Sequence, residues 1–334
     1  MLYIRLLIYH CWKLLIFLIL FSPTLMNTKT KGYILGIVAA AVYGMNPLFT
    51  LPLYEAGMDA DSVLFLRYLI AVPIVALMAK ARGQRFKIQS NERLPMLLMG
   101  VMMAATSWTL FTSYNYMDAG IASSILFVYP LFVALIMMVF FKEKLKATTV
   151  ICLLMAILGI GLLYKTSEGA HLSLAGTLFV LASALTYAIY IVGVNQTALK
   201  QTPTLTISFY VLALSALLFF IKLGFGQNLQ LPPHWYLWFN ILALSVFTTT
   251  ISFVCTTLAI QYIGSTPTAI LGVLEPVTAV FFGILVFDET LTFRNVCGLI
   301  LIMSSVTIVV AGENISTVLV RFKKMFPKLP HKKI

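Results

Sequence analysis

Apolar runs of about twenty residues follow one another along the 334-residue chain, separated by short polar connections. A hydrocarbon core ~30 Å thick takes ~20 apolar residues per spanning helix. In lipid every backbone N–H and C=O must be satisfied within the protein, so only helices and closed barrels cross it. Barrel strands alternate apolar and polar positions. These runs are continuous, and they predict helices. Ten spans are expected, at residues 33–53, 62–80, 94–115, 121–141, 147–164, 172–194, 203–222, 236–260, 266–287 and 293–311. The expected fold class is all-α and integral to the membrane. The longest connections, Lys80 to Arg93 and Lys222 to Trp235, are too short to hold a further domain. Composition agrees, since 60% of residues are hydrophobic and 10% charged, where water-soluble domains are about half apolar.

The net charge of +12 would suit nucleic acid only if the basic residues gathered on a soluble face. They lie instead in short connections and at the C-terminus, so no nucleic-acid partner is expected. With the segment before the first span in the cytoplasm, seventeen Lys and Arg fall inside and three outside (Lys165, Lys222 and Arg294). The positive-inside rule then places both ends of the ten-span unit in the cytoplasm and the acidic loop Glu55, Asp59 and Asp61 outside. Residues 1–25 combine Arg5, His10 and Lys13 with the apolar run Leu14 to Phe21, as a signal peptide would, but no A-x-A-like site follows. An eleventh span is a second reading. The favoured one is an over-long start ahead of Met26.

The chain repeats itself. A shift of 146 residues aligns Tyr116 with Tyr262, Pro130 with Pro276, Phe141 with Phe287, Glu143 with Glu289 and Leu145 with Leu291. A shift of 144 aligns Gly32 with Gly176, Ala40 with Ala184 and Tyr43 with Tyr187. In each half a mid-span proline is followed by Glu-x-Leu where the span ends. The expected division is a leader or over-long extension at 1–30, a first five-helix repeat at 31–165, a second at 172–312 and a basic cytoplasmic tail at 313–334. An odd number of spans per half makes the second half enter from the opposite side. Two inverted five-helix repeats are a device of secondary transporters, which open a midplane site to each side in turn.

The residues that carry a family resemblance are Tyr43-Gly44-Met45-Asn46-Pro47, Leu66-Arg67-Tyr68, Tyr129-Pro130-Leu131-Phe132 with Lys142-Glu143-Lys144-Leu145, and Leu274-Glu275-Pro276-Val277 with Asp288-Glu289-Thr290-Leu291. Over roughly Lys31 to Gly312 the chain resembles the ten-helix EamA-type permeases of the drug/metabolite transporter superfamily. The resemblance implies a multi-pass carrier in a bacterial-type inner membrane, often an exporter of metabolites or drugs, with a cavity between the halves. It departs from the small four-helix exporters of cationic drugs, which use a Glu in their first helix, because the first span here has no acid.

Ten of the eleven acids lie in connections or at span ends, and only Glu275 lies near a midplane. A mid-membrane carboxylate faces the bundle interior or a wet cavity. It either serves substrate or proton, or hydrogen-bonds a neighbouring helix. Pro130 and Pro276 lack an N–H and should free the carbonyls of Leu126 and Gly272, for ligand, for flexing, or as plain kinks. Gly36, Ala40 and Gly44 form a small-residue stripe that close helix packing explains. Arg67, about five residues into its span, is expected to snorkel outward or to meet an anionic substrate. Trp108, Tyr129, Tyr187 and Tyr190 lie inside their spans and, with Asn46, would line a cavity for a small amphipathic metabolite or pack as ordinary helix contacts.

The chain has no H-E-x-x-H, P-loop or G-x-S-x-G signature, and its histidines stand apart at positions 10, 171, 234 and 331. The four cysteines form no CxxC pair. No enzymatic role, metal or cofactor is expected, and energy would come from an ion gradient or from the substrate's own. The expected partners are the bilayer and a small-molecule substrate, with coupling to protons or another ion, and homodimer formation, left open. A flippase for lipid or lipid-linked intermediates is the competing reading and would need a lateral opening between helices.

Overall fold

The computed structural model describes residues 28–142, 147–164, 173–263, 271–272, 274–287, 292–305 and 307–308. The leader, Glu143, Asp288, Glu289 and the basic tail therefore lie outside the described residues. All described elements are helical: α1 (Thr28–Tyr43), α2 (Asn46–Glu55), α3 (Ala60–Ala81), α4 (Ser90–Ser113), α5 (Ala119–Leu126), α6 (Tyr129–Phe141), α7 (Ala147–Tyr164), α8 (Leu174–Gln196), α9 (Thr204–Lys222), α10 (Leu237–Ala243), a π-helical segment (Leu244–Ile251), α11 (Ser252–Ile263), α12 (Leu274–Phe287) and α13 (Phe293–Ser305). Among them, seven helical segments are long and apolar enough to cross a membrane, and α12 and α13 are shorter apolar helices. The ninth and tenth expected spans also run through residues outside the description. Leu77, Phe140, Leu158 and Leu285 are exposed around the bundle, as side chains facing lipid are.

Three of the expected spans are interrupted, and local chemistry explains two of the interruptions. Between α1 and α2, Gly44 and Met45 form a turn, and Met45 N–H reaches back to Val42 in a tight bond of 3.2 Å. Pro47 follows at the start of α2 and supplies no N–H to the turn before it. Between α5 and α6, Val128 N–H bonds to Ile125 at 3.0 Å and Pro130 opens the next helix. In the eighth span the backbone widens to π geometry over the stretch carrying Thr248, Thr249 and Thr250. The Thr249 and Thr250 hydroxyls each donate to a carbonyl five residues earlier, at 2.9 Å, which ties the side chains to the wider turn.

The helix contacts exchange between the halves. α1 packs on α11 and α12 of the second half, and α8 packs on α4, α5 and α6 of the first; α3 packs on α9, and α5 on α12. A Cβ placed on Gly32 would lie 2.8 Å from Tyr262 Cβ, and one on Gly176 would lie 2.9 Å from Tyr116 Cβ. These are the residues that the two shifts pair. The contacts also sit at opposite ends of the bundle. Tyr116 stacks on Phe179 at 5.7 Å, Phe179 meets Trp108, and Trp108 lies beneath Lys222, which pairs with Asp61 at 2.8 Å. Gly32 lies at the other end, in the first turns of α1.

The α3 and α9 pair is tied at both ends. Along its length Phe65 stacks on Phe220 at 5.6 Å and Tyr68 on Phe219 at 6.0 Å. At the Asp61 end Gln230 accepts from Asp59 N–H at 2.8 Å, and its own N–H donates to Ser62 Oγ at 2.9 Å. At the other end the buried Glu92 accepts from Thr202 Oγ1 at 2.7 Å, Gln89 N–H at 2.7 Å and Arg85 at 2.8 Å. Thr206 and Tyr210 donate to the carbonyls of Arg85 and Phe86, each at 2.7 Å.

Close approach makes Gly44 hard to replace. A Cβ there would collide with the carbonyl oxygen of Glu275 and lie 2.8 Å from Thr278 Cβ. Backbone cannot swing aside as a flexible side chain can, so Gly44→Val is expected to cost about 1–3 kcal/mol through overpacking. Gly161→Ala, where nothing lies within 4 Å, is the control. Thermal melting of both variants in detergent checks this, and equal melting points would refute it.

Candidate functional site

Glu275 lies in the first turn of α12, where the missing Cβ of Gly44 lets its backbone press against the α1–α2 break. Tyr43, Tyr129 and Tyr187 all lie within electrostatic reach of Glu275. Tyr129 meets Tyr187 edge-on at 4.8 Å, and Tyr187 stacks on Tyr190 at 6.1 Å. The repeat shifts pair Tyr43 with Tyr187 and Tyr129 with Glu275, so the cluster is built from two positions of each half.

The four groups lie deep in the bundle, yet each is only partly covered. Among the described residues the Glu275 carboxylate and the Tyr43, Tyr129 and Tyr187 hydroxyls have no hydrogen-bond partner. Polar groups stripped of water without replacement bonds are costly. Each is partly covered rather than sealed, and water or a ligand reaching it can supply the bonds.

Arg67 does not snorkel outward. It is 5% exposed, and its Nε donates to Thr249 Oγ1 at 2.6 Å. The guanidinium carbon lies 5.3 Å from the Phe111 ring centre and 5.8 Å from that of Tyr68. The face of α3 that carries Arg67 packs on the π segment, which offers a hydroxyl acceptor inside the bundle. Because the Thr249 hydroxyl spends its proton on the Leu244 carbonyl at 2.9 Å, it is left to accept from Arg67. Tyr43 lies within reach of Arg67 as well as of Glu275.

The other candidates are distributed unevenly. Asn46 is 2% exposed, opens α2 directly after the α1–α2 break, and its Oδ1 has no partner among the described residues. Trp108 stands apart from the tyrosines. It meets Phe179 edge-on at 5.9 Å, and Lys222 Nζ sits 4.1 Å above its ring. Pro130 and Pro276 occupy the opening turns of α6 and α12 rather than helix interiors. The Gly272 carbonyl is not free, since Glu275 N–H donates to it at 2.9 Å.

Tyr43 and Thr249 join the site although neither was singled out as lining it from the sequence. The 144-residue shift that pairs Tyr43 with the candidate Tyr187 was the available signal for Tyr43. The run of three threonines was the only one for Thr249.

Toward the Asp61 end a cavity of about 440 Å³ is lined by Leu51, Tyr54, Glu55, Tyr114, Asp118 and Phe287, among others. Burial pushes the Asp118 carboxyl up from its ordinary range. Tyr114 lines this cavity and also lies within electrostatic reach of Tyr43.

A model of the EamA-like transporter family matches residues 30–165 and, separately, 174–311. The threonine/homoserine exporter RhtA of Escherichia coli is 25% identical over 225 residues, covering 67% of this chain and 73% of that protein. The uncharacterised transporter YvbV of Bacillus subtilis is 23% identical over 291 residues, covering 84% of this chain and 92% of its own. An uncharacterised transporter of Archaeoglobus fulgidus is 26% identical over 276 residues, covering 81% and 93%. A crystal structure of a protein 18% identical to this chain superposes with a TM-score of 0.62 over 86% of this chain and 99% of the other.

Proposed function

The chain belongs to the EamA-like transporter family of membrane transporters, and we propose that it is a secondary exporter working by alternating access across a bacterial-type inner membrane. RhtA, an exporter by name, lends the direction. That the relatives are named as transporters supports a carrier rather than an enzyme. The architecture we propose is ten spans in two inverted five-helix repeats, residues 31–165 and 172–312, around the Glu275 cluster. The observation that carries this reading is the exchange of contacts between the halves, with Gly32 against Tyr262 at one end and Gly176 against Tyr116 at the other. Two halves related in this way can trade conformations, and the site between them is then exposed to each side in turn. The cavity beside Asp118 and Glu55 forms the outer end of the path.

Untargeted metabolomics of cells with and without the gene tests the activity. Cells lacking it are expected to retain at least one small metabolite that overproducing cells release into the medium, and identical profiles would refute export. Orientation follows from the seventeen inside cations against three outside. Reporter fusions at Arg85 and Lys324 are expected in the cytoplasm and one at Asp61 outside it, and a cytoplasmic reporter at Asp61 would reverse the orientation.

A further inference from the structure

The face of α2 that runs inward from the outer cavity is polar, and its deeper part is unsatisfied. Tyr54, Thr50 and Asn46 recur every four residues, so they lie on one ridge of the helix, each ~6 Å deeper than the last. Tyr54 lines the cavity, and its hydroxyl donates to the Phe111 carbonyl at 3.0 Å. Thr50 is 0% and Asn46 2% exposed, and neither Thr50 Oγ1 nor Asn46 Oδ1 has a partner among the described residues. Buried hydroxyls in other helical segments donate to the carbonyl four residues back, as those of Ser124, Ser208, Ser245 and Thr248 do. Thr50 does not make that bond. Keeping two polar groups dry and unpaired is costly, and the cost is relieved when water or a solute entering from the cavity reaches them.

Tyr54 stands between the cavity and these two groups. Phe111 is among the last four residues of α4, whose carbonyls have no helical donor, and Asn115 N–H donates to Thr112 at 3.1 Å rather than to Phe111. The phenol supplies a partner that water can replace. When the bond breaks, water satisfies both of its ends, so it is a weak and reversible tie between α2 and α4. At its inner end α2 starts from the interruption at Gly44 and Met45, a place where the chain can hinge. From this we infer that Tyr54 is the outer gate of the transport path, and that Thr50 and Asn46 line the path directly behind it. The inference rests on the exporter reading and adds the residues that form the outer half of the path.

The test is labelling of single cysteines in the full-length protein, with Cys11, Cys152, Cys255 and Cys297 replaced by Ser. Spheroplasts are treated with a membrane-impermeant, positively charged methanethiosulfonate, and the rate is read from the thiols still open to a maleimide after solubilisation. Thr50→Cys is expected to react at least ~10-fold faster than Leu53→Cys. Leu53 is also fully buried and lies nearer the outside, but it is turned ~100° away from Tyr54. Adding Tyr54→Phe, which keeps the ring and removes the bond, should raise the Thr50→Cys rate about 3- to 10-fold and leave Leu53→Cys unchanged. Asn46→Cys, one turn deeper, should react more slowly and accelerate by the same factor, and it carries the test if Thr50→Cys does not assemble. Labelling of Leu53→Cys as fast as Thr50→Cys, no labelling of either deeper cysteine, or no effect of Tyr54→Phe would overturn the inference. Labelling needs no substrate, so these results stand apart from the exporter reading, which fails if cells release no metabolite through the protein.

Discussion

Glu275→Gln is expected to reach the membrane in wild-type amount and to lose transport at least ~30-fold, or to lose its dependence on pH. The glutamine keeps the size and most of the hydrogen-bonding capacity of the side chain, and the close approach of the residue-275 backbone to Gly44 does not depend on the side chain. Ionisation alone is removed. Truncating one member of a buried charge pair costs about 2–5 kcal/mol in binding, and each ~1.4 kcal/mol is tenfold. If Glu275 binds a substrate ammonium group, the affinity should fall on that scale. If it exchanges protons, flux should become indifferent to an imposed pH gradient. Uptake by inside-out vesicles at several pH values separates the two, and normal flux with an unchanged pH profile would leave Glu275 a structural residue.

The second large effect is expected from locking the Asp61 end. In a background with Cys11, Cys152, Cys255 and Cys297 replaced by Ser, Leu51→Cys and Val286→Cys place thiols on α2 and α12, two helices that line the outer cavity. Bridging them with a reagent that a reductant can cleave should stop nearly all transport, and reduction should restore it. Bridging Asp61→Cys to Lys222→Cys, which replaces a contact of 2.8 Å, should leave most transport intact. The physical reason lies in the α3 and α9 pair, which aromatic stacks join along its length and polar bonds tie at both ends. Splaying it at either end breaks several bonds at once, each worth about 0.5–1.5 kcal/mol. Opening is expected instead at the helices that are already interrupted, between α1 and α2, between α5 and α6, and at the start of α12. Full inhibition by the Asp61 to Lys222 bridge, or none by the Leu51 to Val286 bridge, would contradict this division.

Much of the fold is legible in the sequence because lipid imposes a strict length and polarity on each span. The helical character and the ends of most described helices follow from that; the pairing of Tyr43 with Tyr187 and of Tyr129 with Glu275 is a reading of the 144- and 146-residue shifts instead. Side-chain direction is less legible. Five residues from a span end is near enough for an arginine to reach water, so the sequence of α3 suits an outward Arg67; what turns it inward is Thr249, 182 positions away, held by a π turn. Trp108 has the same apolar surroundings in sequence as the tyrosines and only the three-dimensional packing assigns it to Lys222. The α1–α2 break was within reach of inspection, since Gly44 and Pro47 stand three residues apart, but a glycine stripe reads equally well as continuous close packing.

The most direct test of the central claim is counterflow in proteoliposomes. Vesicles containing the full-length protein are loaded with an excess of the metabolite that cells lacking the gene retain, then diluted into a trace of the labelled compound. A carrier that alternates a single site between two sides returns loaded with label, so labelled metabolite should rise transiently above its equilibrium level inside, and Glu275→Gln vesicles should show no such overshoot. Label that equilibrates without any overshoot in wild-type vesicles, or that fails to enter them, would contradict transport by alternating access.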